Sequence, residues 1–153
     1  MQINIKIIRD IEVIEKELNN ISAGVFLFSN GDEFVQFASS FVYINKNIYL
    51  FIQDADLLKK IGYDTKARFT AIKERKQSKS VEGTAENIYS IISFSVNGVL
   101  KQVDEEKVIN SIKQNFIQKY SGRFIESGSI SKSFRKLVYI YSEELTATEE
   151  TGV

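Results

Sequence analysis

The sequence predicts an α+β protein built on an antiparallel β-barrel. Three observations carry this: about six apolar or alternating segments of strand length, turn-forming residues between neighbouring segments, and only two stretches of helical periodicity. Hairpin connections imply antiparallel pairing, because a parallel crossover needs roughly a dozen residues or more.

Taken in order, the first helix is expected from about Ile5 to Asn19. Ile7, Ile11, Ile14, Leu18 and Ile21 recur at spacings of three and four, with Glu12, Glu15, Lys16 and Glu17 on other faces. Ile3, Ile5 and Ile7 also alternate, which leaves an extended start open. "AGVFLFS" reads as a strand and "NGDE" as a tight turn, since Asn and Gly accept positive φ. "FVQFASSFVYI" follows as one long strand, "NKN" as a second turn and "IYLFIQ" as a third strand. After "DADLLKKIG", the segment Lys66 to Glu74 alternates Ala67, Phe69 and Ala71 against Arg68, Thr70 and Ile72, a fourth strand. "KERKQSKS" reads as a polar connection, and "VEGTAENI" opens a fifth strand that continues into "IISFSV".

The second helix is expected from Asp104 to Tyr120. Val108, Ile112, Phe116 and Ile117 form its inner stripe, and Asp104, Glu105 and Glu106 suit its positive end. "GRFIESGSIS" reads as a loop and "FRKLVYIYS" as the last strand. Residues 1–145 form one domain in this reading, and the small, polar, acidic residues 146–153 a disordered tail.

Composition narrows the chemistry. The 153 residues contain no cysteine and no histidine, which removes disulfides, thiolate nucleophiles, imidazole bases and most zinc sites. No metal site is expected. Twenty basic and 20 acidic residues give a formal net charge of zero, which argues against a nucleic-acid partner. Apolar runs are too short to span a bilayer, and the first residues mix charge into isoleucine, so a cytoplasmic protein with no membrane partner is expected. Catalysis would rest on carboxylates, lysines, tyrosines, hydroxyls or a borrowed cofactor.

Several side chains invite two readings. Lys59 and Lys60 are either a solvated pair or ammonium groups for a phosphate near a short helix. Ser39 and Ser40 interrupt an apolar strand, and period two sends them to opposite faces. Gly83 marks a bulge or a close backbone approach. Lys73, Arg75, Lys76 and Lys79 read as a solvated hairpin, diluted by Glu74 and Glu82. Phe34, Phe37, Phe41, Tyr43, Tyr49 and Phe51 read mostly as core or interface, and Asp54 and Asp56 as a helix cap in preference to a metal pair.

The order of elements resembles the FMN-binding split barrel, the fold of pyridoxamine 5′-phosphate oxidase and its small relatives. The residues that carry it are "AGVFLFSNGDEFVQFASSFVYI", "NIYLFIQDADLLKKIGYDTKARFTAI" and "SVEGTAENI" with its Glu-Gly, spanning roughly Ile7 to Ile88. The layout is most similar to the branch that acts in haem utilisation. The resemblance implies a six-stranded split barrel with an N-terminal helix and a second helix before the last strand. It also implies a homodimer with FMN at the subunit interface. By position, the phosphate end would meet Ser39 and Ser40, then Phe51, Ile52 and Gln53, then Lys59 and Lys60; Ser78 and Lys79 fall where relatives reach the ring or ribityl chain.

There are departures. The second strand lacks the arginine and proline common in relatives, and Leu57 and Leu58 stand where many carry a basic or histidine residue. Without histidine, haem cleavage at a histidine-held iron is not carried over, and the oxidase's substrate contacts are not recognisable. The resemblance therefore implies an FMN-dependent oxidoreductase with no catalytic side chain assigned. The alternative is a non-catalytic FMN- or haem-binding dimeric barrel.

Overall fold

Alternation, not helical periodicity, governs the first residues. In the computed structural model, which describes residues 2–81, 84–121 and 136–152 (side chains of 77–87 excepted), β1 spans Ile3–Ile8 and α1 only Ile11–Asn19. The helix expected from Ile5 thus starts later. Asp10 caps it, its Oδ1 accepting from the Glu12 N–H at 3.0 Å, and Ile7 is 63% exposed while Ile8 turns towards the core.

The remaining elements are β2 (Gly24–Asn30), β3 (Glu33–Ser39), β4 (Val42–Ile44), β5 (Asn47–Ile52), α2 (Ala55–Lys60), β6 (Lys66–Val81), β7 (Thr84–Gln102), α3 (Glu106–Tyr120) and β8 (Lys136–Gly152). Among the described residues eight strands form one antiparallel sheet in the order β3-β2-β6-β7-β8-β5-β4, with β1 paired to β8. Both expected tight turns are present: Gly31 (φ 62°) turns β2 into β3, and Asn45 (φ 50°) with Lys46 (φ 68°) turns β4 into β5.

The long strand expected over residues 34–44 breaks at Ser40 and Phe41. In a two-residue hairpin the pair flanking the turn exchanges both hydrogen bonds, so alternate residues point to the same edge. Glu33, Val35, Phe37 and Ser39 therefore face β2, and Val42 and Ile44 face β5. Counting through the break, β2 and β5 lie on opposite edges of one bent strand. The hydrogen-bond path is open, but its two ends are successive lengths of the same chain.

Two apolar cores sit on the two sides of this sheet. The inner one gathers Phe26, Phe28, Phe41, Phe69 and Phe94 with Leu50 and Ile140, and Ile14 and Leu18 of α1 enter it. The outer one lies between α3 and the β4–β5–β8 face, where Phe116 meets Phe51 edge-on at 5.1 Å. Burying each phenyl ring stabilises by about 1.5–3 kcal/mol. α3 also reaches the break: the Tyr120 hydroxyl accepts from the Phe41 N–H at 2.9 Å, and its single proton serves one of the Ser22 and Phe41 carbonyls, 2.7 and 2.8 Å away.

Two polar stretches belong to the sheet after all. "KERKQSKS" is part of β6, and Lys73 and Arg75 are not a solvated hairpin: both pair with Glu17 of α1, Lys73 Nζ at 2.7 Å from Glu17 Oε2. The tail expected to be disordered is the second half of β8. Residues 147–152 are flanked by β1 on one edge and β7 on the other, so their backbone groups are satisfied without an apolar side-chain pattern. The expected "GRFIESGSIS" loop lies outside the described residues, as does Gly83.

Candidate functional site

The β4–β5 ladder stops at the pair Val42↔Tyr49. Continued, its register would set Ser40 opposite Phe51 and Ser39 opposite Ile52. Instead the chain parts from β5 there, so these residues and Gln53 flank the split of the barrel. Ser39 faces inward with Phe37 and donates its hydroxyl to the Ser40 carbonyl at 2.9 Å, while Ser40 is exposed on the outer face. The side chains of Phe51 and Ile52 are committed to the outer and inner cores, and Gln53 is exposed.

α2 follows directly. Its first turn is closed by Asp54, whose Oδ1 accepts from the Asp56 and Leu57 N–H groups at 2.8 and 3.2 Å, so the acids cap a helix as expected. Leu57 and Leu58 pack on the inner core, and Lys59 and Lys60 stand exposed at the negative C-terminal end of the helix. The α2 N-terminus is thus no phosphate cradle, and any anion held here meets the lysines through their side chains. Of the residues expected at the site, Ser40, Gln53, Lys59 and Lys60 present free polar groups to solvent: a hydroxyl, an amide and two ammoniums. That donor set fits the phosphate end of a cofactor. Ser78 and Lys79 lie in β6 opposite Asn87 and Glu86, and their side chains are outside the described residues.

Sequence reasoning missed a cleft of about 870 Å³, which none of these residues lines. It opens on the outer face where β2, β3, β6, β7 and β8 meet, between Leu27, Phe34, Lys66, Arg68, Asn97 and Glu143. The available signal was Lys66 and Arg68 alternating with the buried Ala67. A second cleft, about 360 Å³, runs beside β4 between Asn19 and Lys119.

Beyond this cleft the outer face is bare among the described residues. Register places Ile7, Thr148, Ser93 and Ile72 in one row across β1, β8, β7 and β6, and Val25, Thr70, Ser95 and Thr146 in another. Ile5 is 69% and Ile72 62% exposed, and Ile3, Ile7 and Val25 are exposed with them. Among the described residues no helix is long and apolar enough to cross a membrane.

No protein-family model matches the sequence, and no match was found among curated proteins. Solved structures do match. A candidate pyridoxamine 5′-phosphate oxidase from Corynebacterium glutamicum superimposes with a TM-score of 0.62 at 16% identity, covering 95% of this chain and 98% of that one. The FAD binding protein from Mycobacterium smegmatis gives 0.62 at 15% identity, over 94% and 97% of the two chains. The FAD and heme binding protein from Mycobacterium smegmatis gives 0.60 at 10% identity, over 94% and 71%. Similarity at this level of identity concerns the fold, and the chain has the fold of the pyridoxamine 5′-phosphate oxidase-like split barrels.

Proposed function

We propose that this chain is a flavin-binding split-barrel protein that works as a homodimer and uses FMN in an oxidoreductase reaction. The observation that carries the reading is a fold shared over more than nine-tenths of the chain with proteins described as binding flavin. Taking β3 and β4 as one bent strand and β1 as an edge addition, we read the eight strands as the six staves of such a barrel. The bare isoleucine face supports a second copy, because an exposed apolar patch of this kind on a sheet marks an interaction surface.

In this reading Lys59 and Lys60 neutralise the flavin phosphate, Gln53 and Ser40 donate hydrogen bonds beside it, and the partner subunit closes the site to water. Bound flavin supplies the electron transfer, which suits a chain without histidine or cysteine. A non-catalytic carrier is the second reading, favoured by the fold shared with a protein that binds heme as well as FAD.

Purified protein titrated with FMN while its mass is recorded tests ligand and assembly together. Saturable binding by a species of twice the chain mass is expected; protein that ignores FMN overturns the reading. Replacing both Lys59 and Lys60 by alanine should weaken FMN about ten-fold or more and leave riboflavin nearly unchanged, since each charge-assisted bond contributes roughly 1.5–3 kcal/mol. Equal losses would free the lysines of the phosphate. Rapid reduction by NAD(P)H followed by turnover with an acceptor separates enzyme from carrier.

A further inference from the structure

We infer that the outer-face cleft is a second ligand site, separate from the split, for a small molecule with one anionic group on an apolar body. Its volume, about 870 Å³, lies within the range of roughly 300–1,000 Å³ usual for small-molecule sites.

The cations come first. Arg68 and Asn97 are cross-strand partners, and the Arg68 Nε–H donates to Asn97 Oδ1 at 2.8 Å. That bond fixes the plane of the guanidinium and leaves its terminal nitrogens for a ligand, the geometry that suits a carboxylate or phosphate. Lys66 stands two residues away on the same face, and neither cation forms an ion pair among the described residues.

The opposite wall is made by a β-bulge. The β7–β8 register runs Asn97↔Glu144 and then Gly98↔Ser142, so Glu143 has no partner across the ladder and lines the cleft. Gly98 permits the bulge, since a β-carbon there would overlap the Tyr141 carbonyl oxygen. Bulges of this kind re-aim a side chain beside functional sites. Leu27 and the 75% exposed Phe34 supply the apolar side. Thr65, which also lines the cleft, is tied down: the Asp64 N–H donates to the Leu100 carbonyl at 2.8 Å, and the Leu100 N–H to the Thr65 carbonyl at 2.9 Å. Two cations against one carboxylate leave a surplus of one positive charge, which matches a single anionic group better than a polyphosphate.

The test uses the full chain and two probes of the same body, 1-anilinonaphthalene-8-sulfonate and its neutral parent N-phenyl-1-naphthylamine. Saturable fluorescence enhancement is expected for the sulfonate. Arg68→Gln should weaken it about ten-fold and change the neutral probe little, and Lys66→Gln should act in the same direction. Glu143→Gln should tighten the sulfonate by removing repulsion, and a Lys59→Gln/Lys60→Gln variant should leave it unchanged. Lys66→Gln keeps the test decisive if Arg68→Gln fails to fold. The assignment is overturned if the cation variants leave the sulfonate untouched, if both probes fall equally, or if saturating FMN displaces the sulfonate.

Discussion

The outer face of the sheet has a covered half and a bare half. Over β4, β5 and the first part of β8, α3 lays Ile112, Phe116 and Tyr120 onto Val42, Phe51 and Leu137. Over β1, β6, β7 and the second part of β8 the described residues supply no cover, and Ile3, Ile5, Ile7 and Ile72 are exposed. The side chains differ accordingly. The covered half carries large rings that interlock with a helix. The bare half sets isoleucines around a centre of Thr70, Ser93, Ser95 and Thr148, which is flat and suits another flat surface. One sheet thus buries its apolar side chains under its own helix on one half, while on the other the described residues leave them bare.

The largest expected effect comes from breaking the covered half. Phe116→Ala removes the ring packed on Phe51 and should cost about 3–5 kcal/mol, read from the urea midpoint at constant m. The matched change on the bare half, Ile7→Ser with Ile72→Ser in the same row, should barely alter far-UV circular dichroism but lower the measured mass towards one chain. A mass that stays put would show that the bare half is not the contact between copies.

How much of this was legible follows the same division. β2, β3, β5, the two hairpin turns and α3 were readable because each has an apolar face and a turn or end signal of its own. The first and last strands were not. Ile7 continues the spacing of Ile11, Ile14 and Leu18, so β1 was absorbed into the helix stripe, although its side chain points away from the helix's core. Residues 146–152 look like a tail because neither face of that half of β8 needs a run of apolar residues; its order comes from neighbours on both edges. Ser39 and Ser40 were grouped with Phe51 to Gln53 through the family resemblance, whereas the outer cleft joins residues from five strands and rests on a bulge that no local pattern announces.

The inner side of the bare half is roofed by α1, and here charge takes part where α3 relies on rings. Lys73 hydrogen-bonds Glu17 and, with Arg75, holds its carboxyl below the ordinary 4.5 against the opposing effect of burial. Glu17→Ala leaves two partly exposed cations without their acid and should cost about 1–2 kcal/mol, less in high salt. Because the folded value is lowered, this contribution is complete above about 4.5 and disappears as pH falls through the folded value. The variant should therefore converge with the parent in acid. A gap that persists there would mean that Glu17 holds α1 through the packing of its side chain and not through its charge.

The smallest effect is expected where a single strand serves both cores. Val42 and Ile44 point to α3, and Tyr43 between them points inward, its hydroxyl buried without a hydrogen-bond partner among the described residues. Burial, with the Glu15 carboxylate adding to it, pushes the phenol up to about 12. A raised value means that the unfolded chain ionises first, so stability tied to this group is constant below about 10 and falls as pH rises towards 12. Tyr43→Phe should stay within about 0.5 kcal/mol of the parent at neutral pH, because no bond is lost. Above pH 10 it should gain on the parent by up to about 1.4 kcal/mol per pH unit. A loss of more than about 1 kcal/mol at neutral pH would show that the hydroxyl is bonded in solution, and that the inner core, like the break at Phe41, depends on a tyrosine's polar end.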